Sequence, residues 1–293
     1  MMNNLTGKGM YIWQLKNAEG GNVQAIADLA RRANLTHIII KVLQSKTKYN
    51  LRWAAYRWVD DILPQLIEAL HLVNIEAWGY QYILLDDPIG EAQAALNRII
   101  ELELDGLVIN GEGECKGKSA NATRYAQAMA FDTPVPLALS TYRYLSYHPT
   151  FPVDELMMCC DYSMPQVYWM QATNAGVQLE RTVREWERFD QPMIPTGAAF
   201  KEWGWLAKPA EVKEFLDKAV ELQLDGCNFW RWQHARDYGL WDTIANYVWP
   251  SNEPPSLPPD DLEARVLELE NRTLMQRVMI MSLDERVRML EGR

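Results

Sequence analysis

The sequence contains no long hydrophobic run, and this absence excludes a membrane-spanning helix. No apolar stretch reaches the roughly 18 residues that such a helix needs. Basic residues are also too few to balance the acidic ones, 29 Lys and Arg against 39 Asp and Glu, which gives a net charge of -10. Nucleic acid and anionic membranes repel a surface of that sign. We therefore expect neither as a partner.

Cysteine and histidine are equally scarce. The four cysteines form no C-x-x-C pair, and the four histidines lack the spacing of a zinc site. Residues 1–8 have no hydrophobic signal-peptide core, so we expect reduced thiols in a chain made in the cytoplasm. We expect no cofactor and no metal. Glu112, Glu114 and either Asp86 or Asp87 are the alternative metal ligands, but no histidine joins them.

Aromatic residues, in contrast, are abundant, with 12 Trp and 13 Tyr. Large flat rings with a polar edge are costly to bury completely. They suit a ligand that presents an apolar face surrounded by polar groups, as a sugar ring does. The alternative is that they fill the core, and for any single tryptophan core packing is the stronger interpretation.

A repeated pattern runs through residues 1–250, in which a helical apolar period is followed by a short polar break and an apolar strand. Eight strands are predicted, at 10–14, 37–43, 75–81, 106–111, 135–140, 161–168, 192–197 and 226–231. Helices are predicted at 22–33, 60–73, 89–103, 118–131, 175–188, 209–222 and 239–248, with a short connection near 153–159. The pattern predicts an α/β fold, a (β/α)8 TIM barrel. A doubly wound sheet is disfavoured because no Gly-rich phosphate loop follows the first strand.

The fourth predicted strand carries the most distinctive polar residues. Val108, Asn110 and Glu112 alternate along it and share one face, whereas Leu107 and Ile109 share the other. In a TIM barrel the carboxyl ends of the strands form the active-site mouth, so Glu112 is expected there. Taken alone, the stretch is also typical of a polar surface loop.

The carboxyl ends of the other predicted strands carry polar and aromatic residues too, whereas the strand starts do not. This asymmetry is typical of a barrel with a functional mouth. The residues that we expect to contact a substrate there are Trp13, Tyr80, Tyr82, Tyr142, Gln166, Tyr168, Trp169, Trp230 and Trp232.

The composition changes after Trp249. Residues 251–260 are rich in proline and are predicted to form an extended linker. Residues 261–293 are predicted to be a coiled-coil helix, because apolar residues recur there with 4-3 spacing. The seam consists of Leu262, Val266, Leu269, Thr273, Gln276, Ile280, Leu283, Val287 and Leu290. We expect a homo-oligomer through residues 262–290, a trimer or a dimer; the alternative is one helix docked on the barrel.

Three short motifs resemble the barrels of glycoside hydrolase family 18. Residues 105–112 look like the strand-four signature D-G-x-D-x-D-x-E, in which the final Glu is the general acid, and they also resemble the D-x-E of the family 25 muramidases. Residues 162–169 are similar to the strand-six Met-x-Tyr segment, and residues 229–233 are similar to the Trp-bearing strand eight. The resemblance implies a glycosidase in which Glu112 is the acid.

The sequence departs from that signature at two positions, where Val108 and Asn110 replace aspartates. The Asn-x-Glu pair resembles the endo-N-acetylglucosaminidases of family 85, in which the Asn orients the substrate acetamide. This resemblance implies an N-acetylhexosamine-containing glycan as substrate, for example a cell-wall polysaccharide. Glu114 and Asp161 are the alternatives for a second catalytic carboxylate.

The lost aspartates leave a second class of function open, a non-catalytic, oligomeric glycan-binding or structural protein built on a TIM barrel. A barrel of this kind without a signal peptide suggests a phage or prophage product, released by lysis or incorporated in a phage particle. Both classes share a glycan as the expected partner.

Overall fold

The chain forms the predicted TIM barrel. The computed structural model describes residues 5–54, 56–60 and 62–250, with only the backbone of Trp53 and Ala54. The predicted linker and coiled coil lie outside the described residues. The barrel strands are β1 (Gly7–Ile12), β2 (Leu35–Gln44), β3 (Glu76–Ile83), β4 (Gly106–Gly111), β5 (Leu137–Ser140), β6 in two pieces (Tyr162–Ser163 and Gln166–Val167), β7 (Thr196–Ala198) and β8 (Gly226–Trp230). Each pairs in parallel with the next, and β8 pairs with β1, so the sheet closes.

Helices cover the outside of this sheet. They are α1 (Val23–Arg32), α2 (Ile62–His71), α3 (Pro88–Leu102), α4 (Ser119–Asp132), α5 (Val153–Met157), α6 (Ala175–Trp186), α7 (Pro209–Glu221), α8 (Trp232–Asp237) and α9 (Trp241–Ala245). The short helix α8 is not predicted from the sequence, and α9 is shorter than the predicted helix at 239–248. None of the described helices is long and apolar enough to span a membrane.

The sixth strand differs from the prediction, because it is interrupted where a continuous strand at 161–168 was expected. Pro165 has no N–H group and cannot donate to a neighbouring strand, so it breaks the ladder. The residues on either side still pair. The backbone N–H of Met164 donates to Leu139 O at 2.8 Å, and that of Gln166 donates to Thr141 O at 2.8 Å. The interruption therefore leaves the barrel closed.

Alternation along β4 separates two cores, as predicted. Val108 points into the barrel and packs in a cluster with Tyr11, Trp78 and other inner residues. Leu107 and Ile109 belong to the larger core between the sheet and the helices. Because Asn110 and Glu112 follow Val108 with the same alternation, they lie on the inner side at the carboxyl end of β4. That end of the barrel is called the mouth below.

Two glycines make room for the large inner side chains. A Cβ atom on Gly106 would lie 2.5 Å from the ring of Trp78, which fills the barrel near the amino ends of the strands. A Cβ atom on Gly9 would lie 2.0 Å from Nε2 of His37. His37 is fully buried, and its Nε2 lies 2.5 Å from Oδ1 of Asn228 on β8. Glycine is therefore required where these rings cross the barrel.

Candidate active site

Glu112 occupies the mouth, directly after the last residue of β4. Its side chain is partly buried. Burial raises the pKa of Glu112, and the nearby charge of Glu114 raises it further. Hydrogen bonds from Gln166 and Asn110 and the charge of Lys41 act in the opposite direction, but burial is the largest effect. The site therefore favours a carboxyl group that keeps its proton to higher pH than an exposed glutamate.

Two amide side chains contact this carboxyl. Asn110 Nδ2 lies 3.5 Å from Oε1 of Glu112, at the limit of a hydrogen bond. Gln166 Nε2 lies 3.3 Å from the same oxygen and 3.0 Å from Oδ1 of Asn110. Gln166 was expected from the sequence to contact the substrate. The structure in addition places it against both members of the Asn-x-Glu pair.

All four tyrosines that were predicted to contact the substrate lie around Glu112. Burial raises the pKa of each hydroxyl, and the charge of Glu112 contributes to the rise in every case. Tyr80 is almost completely buried and forms part of the floor, whereas the other three are partly exposed. These tyrosines are Tyr80 and Tyr82 on β3, Tyr142 after β5 and Tyr168 after β6. The fold thus brings together the strand ends at which the sequence predicted substrate contacts.

Glu114 lies close to Glu112 but on the exposed side of the mouth. Its Oε2 atom accepts a hydrogen bond from the hydroxyl of Tyr82 at 2.6 Å. The side chain is exposed, in contrast to that of Glu112. Its role as a second carboxylate remains a hypothesis.

Asp161 lies at the opposite end of the barrel, so it is wrong as a second catalytic carboxylate for Glu112. It immediately precedes β6, and its Oδ2 atom accepts a hydrogen bond from the backbone N–H of Leu137, the first residue of β5, at 2.8 Å. Asp105 does the same before β4, where Oδ2 accepts from the N–H of Ala77 at 2.7 Å. Both carboxylates therefore join neighbouring strands at their amino ends.

Trp169 and Trp232 are core residues, so their prediction as substrate contacts is wrong. Trp169 has 0% exposure, and its Nε1 donates to Oε2 of Glu211 on α7 at 3.1 Å. Trp232 has 1% exposure, and its Nε1 donates to Oε1 of Glu19 at 3.1 Å. Each indole thus has its polar edge satisfied inside the protein, which leaves it no surface for a ligand.

The remaining two predicted tryptophans do line the mouth. Trp230, at the end of β8, is partly exposed, and its ring lies 5.6 Å from that of Tyr11 and 6.1 Å from that of Tyr80. Trp13, after β1, is also partly exposed, and the guanidinium of Arg231 lies 4.6 Å from its ring. Both rings can therefore meet a ligand without being removed from the core.

Lys41 is a mouth residue that was not among the predicted substrate contacts. Burial lowers the pKa of Lys41 to about 8, although the charge of Glu112 acts to raise it. Its Nζ donates to Oε1 of Gln44 at 2.6 Å and lies 4.3 Å from the ring centre of Tyr49. The alternation of His37 and Lys41 on β2 was the signal that could have placed it on the inner face.

Within the described ranges, no group of three or more His, Cys, Asp or Glu is arranged to hold a metal ion.

Solved structures with the same fold include two chitinases and an N-acetylglucosaminidase. A chitinase from Bacteroides thetaiotaomicron superimposes with a TM-score of 0.63 at 11% identity, over 83% of this chain and 96% of that chain. A class V chitinase from Nicotiana tobaccum gives 0.63 at 9%, over 82% and 98%. A family 18 N-acetylglucosaminidase from Paenibacillus barengoltzii gives 0.56 at 12%, over 82% and 99%. No protein-family model and no curated protein matches the sequence. At such low identity the likeness establishes a shared barrel fold.

Proposed function

We propose that the protein is a glycoside hydrolase that cleaves an N-acetylhexosamine-containing glycan, with Glu112 as the general acid. The observation that carries the proposal is a partly buried carboxyl of raised pKa at the carboxyl end of β4, surrounded by tyrosines. Such a carboxyl can give its proton to the oxygen of a departing sugar. The shared fold with chitinases and an N-acetylglucosaminidase supports a substrate of the same class.

Asn110 is the proposed partner in a substrate-assisted reaction. Its side-chain oxygen accepts the acetamide N–H and turns the acetamide oxygen toward the anomeric carbon. That oxygen bonds to the anomeric carbon while the glycosidic C–O bond breaks, and the proton of Glu112 passes to the leaving oxygen. Deprotonated Glu112 then takes a proton from water, whose oxygen attacks the anomeric carbon, opens the oxazolinium ring and restores the acetamide. Two displacements at one carbon retain its configuration.

The substitution Glu112→Gln tests the acid. It removes the transferable proton and keeps the size of the side chain, so kcat on chitotetraose should fall by about 100- to 10,000-fold while binding survives. Glu114→Gln makes the same chemical change two residues further on, and under the substrate-assisted reaction it should retain most activity. A fully active Glu112→Gln protein would refute the assignment.

Asn110→Ala separates the substrate-assisted reaction from one with two carboxylates. It should lower kcat on chitotetraose by about a hundredfold, and much less on a glycan without the acetamide. Equal losses on both would point to a structural role for Asn110. Strong loss with Glu114→Gln but not with Asn110→Ala would favour a second carboxylate.

Non-catalytic glycan binding is the second candidate function. The observation that favours it is the replacement of two aspartates of the family 18 signature by Val108 and Asn110. Under this alternative, the wild-type protein binds chitotetraose in a calorimetric titration but releases no new reducing ends. The release of reducing ends that depends on Glu112 would exclude it.

A further inference from the structure

A hairpin between β7 and α7 has a tryptophan at its tip in an unfavourable backbone conformation. Its strands, Lys201–Glu202 and Trp205–Leu206, pair antiparallel, which leaves Trp203 and Gly204 as a two-residue turn. Both turn residues have positive φ, 46° for Trp203 and 79° for Gly204. This is the type I′ turn, which strongly prefers Asn-Gly. A bulky residue at its first position is disfavoured because Cβ crowds the backbone.

The indole of Trp203 is mostly exposed to solvent and so contributes little packing energy to the fold. Its exposed fraction is 83%. Across the residues that the structure describes, its ring has no aromatic or cationic partner within stacking distance. A single exposed apolar side chain is ordinary. An exposed indole at a position where its own backbone conformation is disfavoured is more informative, because such outliers cluster at ligand-binding sites.

The base of the hairpin packs, through Phe200, against Tyr168 at the mouth. The ring of Trp205 lies 5.5 Å from that of Phe200, and the ring of Phe200 lies 5.1 Å from that of Tyr168. Tyr168 is one of the tyrosines on which the charge of Glu112 acts. A row of packed rings therefore runs from the site of Glu112 to Trp205 in the hairpin, and Trp203 lies two residues before Trp205, in the turn of the same hairpin.

We propose that Trp203 forms a distal sugar-binding subsite, which stacks on an N-acetylhexosamine unit several sugars away from the bond next to Glu112. This inference rests on the proposed function and adds that the substrate is a polymer. The faces of a pyranose ring that carry C–H groups match the flat surface of an indole. The proposal predicts that a short oligosaccharide bound at Glu112 ends before it reaches the hairpin, whereas a longer one contacts Trp203.

The substitution Trp203→Asn tests the subsite with little risk to the fold. It removes the ring and creates the Asn-Gly dipeptide that the turn prefers, so the melting temperature should equal or exceed that of the parent. Phe131→Asn is the matched control. Phe131 is 77% exposed on the last turn of α4, at the end of the barrel away from the mouth. Both changes are made in full-length Glu112→Gln protein, so that the oligosaccharides stay intact.

Calorimetric titration with chitotriose and chitohexaose gives the decisive comparison. Trp203→Asn should raise the Kd for chitohexaose about tenfold and change that for chitotriose less than about twofold. Phe131→Asn should change neither. An unchanged Kd for chitohexaose, an equal loss for both lengths, or a lowered melting temperature would overturn the subsite alone. If the parent binds neither oligosaccharide and wild-type protein cleaves neither, the proposed function fails together with the subsite.

Discussion

Gln166 on β6 donates a hydrogen bond from Nε2 to Oδ1 of Asn110 on β4, over 3.0 Å. The two strands are not neighbours, because β5 lies between them. Since Oδ1 of Asn110 faces Gln166, its Nδ2 is directed to Oε1 of Glu112. One amide on β6 therefore sets the orientation of another on β4, and with it the donor that Glu112 meets.

Replacing Gln166 with leucine should move the pH profile of the reaction. The amide donates to the charged form of Glu112 and so lowers its pKa. Without it the pKa of Glu112 rises, and the alkaline limb of kcat/KM, which requires the protonated acid, shifts to higher pH. We expect kcat to fall about tenfold as Asn110 loses its partner. Gln127→Leu, on the exposed side of α4, is the control. An alkaline limb that stays in place would contradict this role.

Two tryptophans that look alike in the sequence should respond differently to truncation. Trp169→Ala removes a fully buried ring and should lower the free energy of unfolding by about 3–5 kcal/mol. Trp230→Ala removes a partly exposed ring at the mouth and should destabilise less while weakening glycan binding. Urea unfolding and calorimetric titration measure the two effects. Equal destabilisation by both substitutions would show that Trp230 also serves mainly the core.

The buried pair of His37 and Asn228 should make the barrel sensitive to acid. Burial lowers the pKa of His37 from 6.5 to about 4. Between these pH values His37 binds a proton in the unfolded chain but not in the folded chain. The contribution of neutral His37 to the free energy of unfolding is therefore fully present above pH 6.5 and is lost as the pH falls toward 4. The full shift corresponds to about 3 kcal/mol.

Urea unfolding between pH 7 and about pH 4.5 measures this contribution. His37→Gln does not titrate, and it should be less stable at pH 7 but flatter in its pH dependence. Parallel curves for the two proteins would mean that His37 is not the source of the acid sensitivity.

The tail prediction concerns residues outside the described ranges and depends on heptad spacing alone. With Val266 at position a and Leu269 at d, Arg265 faces Glu270 of a parallel partner. Such surface pairs are worth only about 0–1 kcal/mol each, so the apolar seam must supply most of the association. We expect full-length protein to be an oligomer, with a trimer narrowly ahead of a dimer, and a chain cut after Trp249 to be a folded monomer. Sedimentation of full-length protein as a monomer at micromolar concentration would contradict this.

Local patterns in the sequence were sufficient for the fold and for the place of Glu112. Strand alternation depends only on neighbouring residues, so Val108, Asn110 and Glu112 could be assigned to one face before any strand pairing was known. The repeated order of helix, turn and strand allows few closed arrangements, and a parallel barrel places every strand end at the same mouth. The tyrosines around Glu112 followed from these two facts.

The tertiary structure decided which polar and aromatic residues actually reach that mouth. Asp161 and Glu112 are both carboxylates beside barrel strands, but Asp161 precedes β6 and Glu112 follows β4, so they lie at opposite ends of the barrel. Trp230 is the last residue of β8 and Trp169 lies two residues beyond β6, so both are near a strand end, yet the indole of Trp169 packs beneath α7, where Glu211 accepts its N–H. Burial of a side chain depends on what the rest of the chain places against it, and that information is not contained in the spacing of residues along one strand.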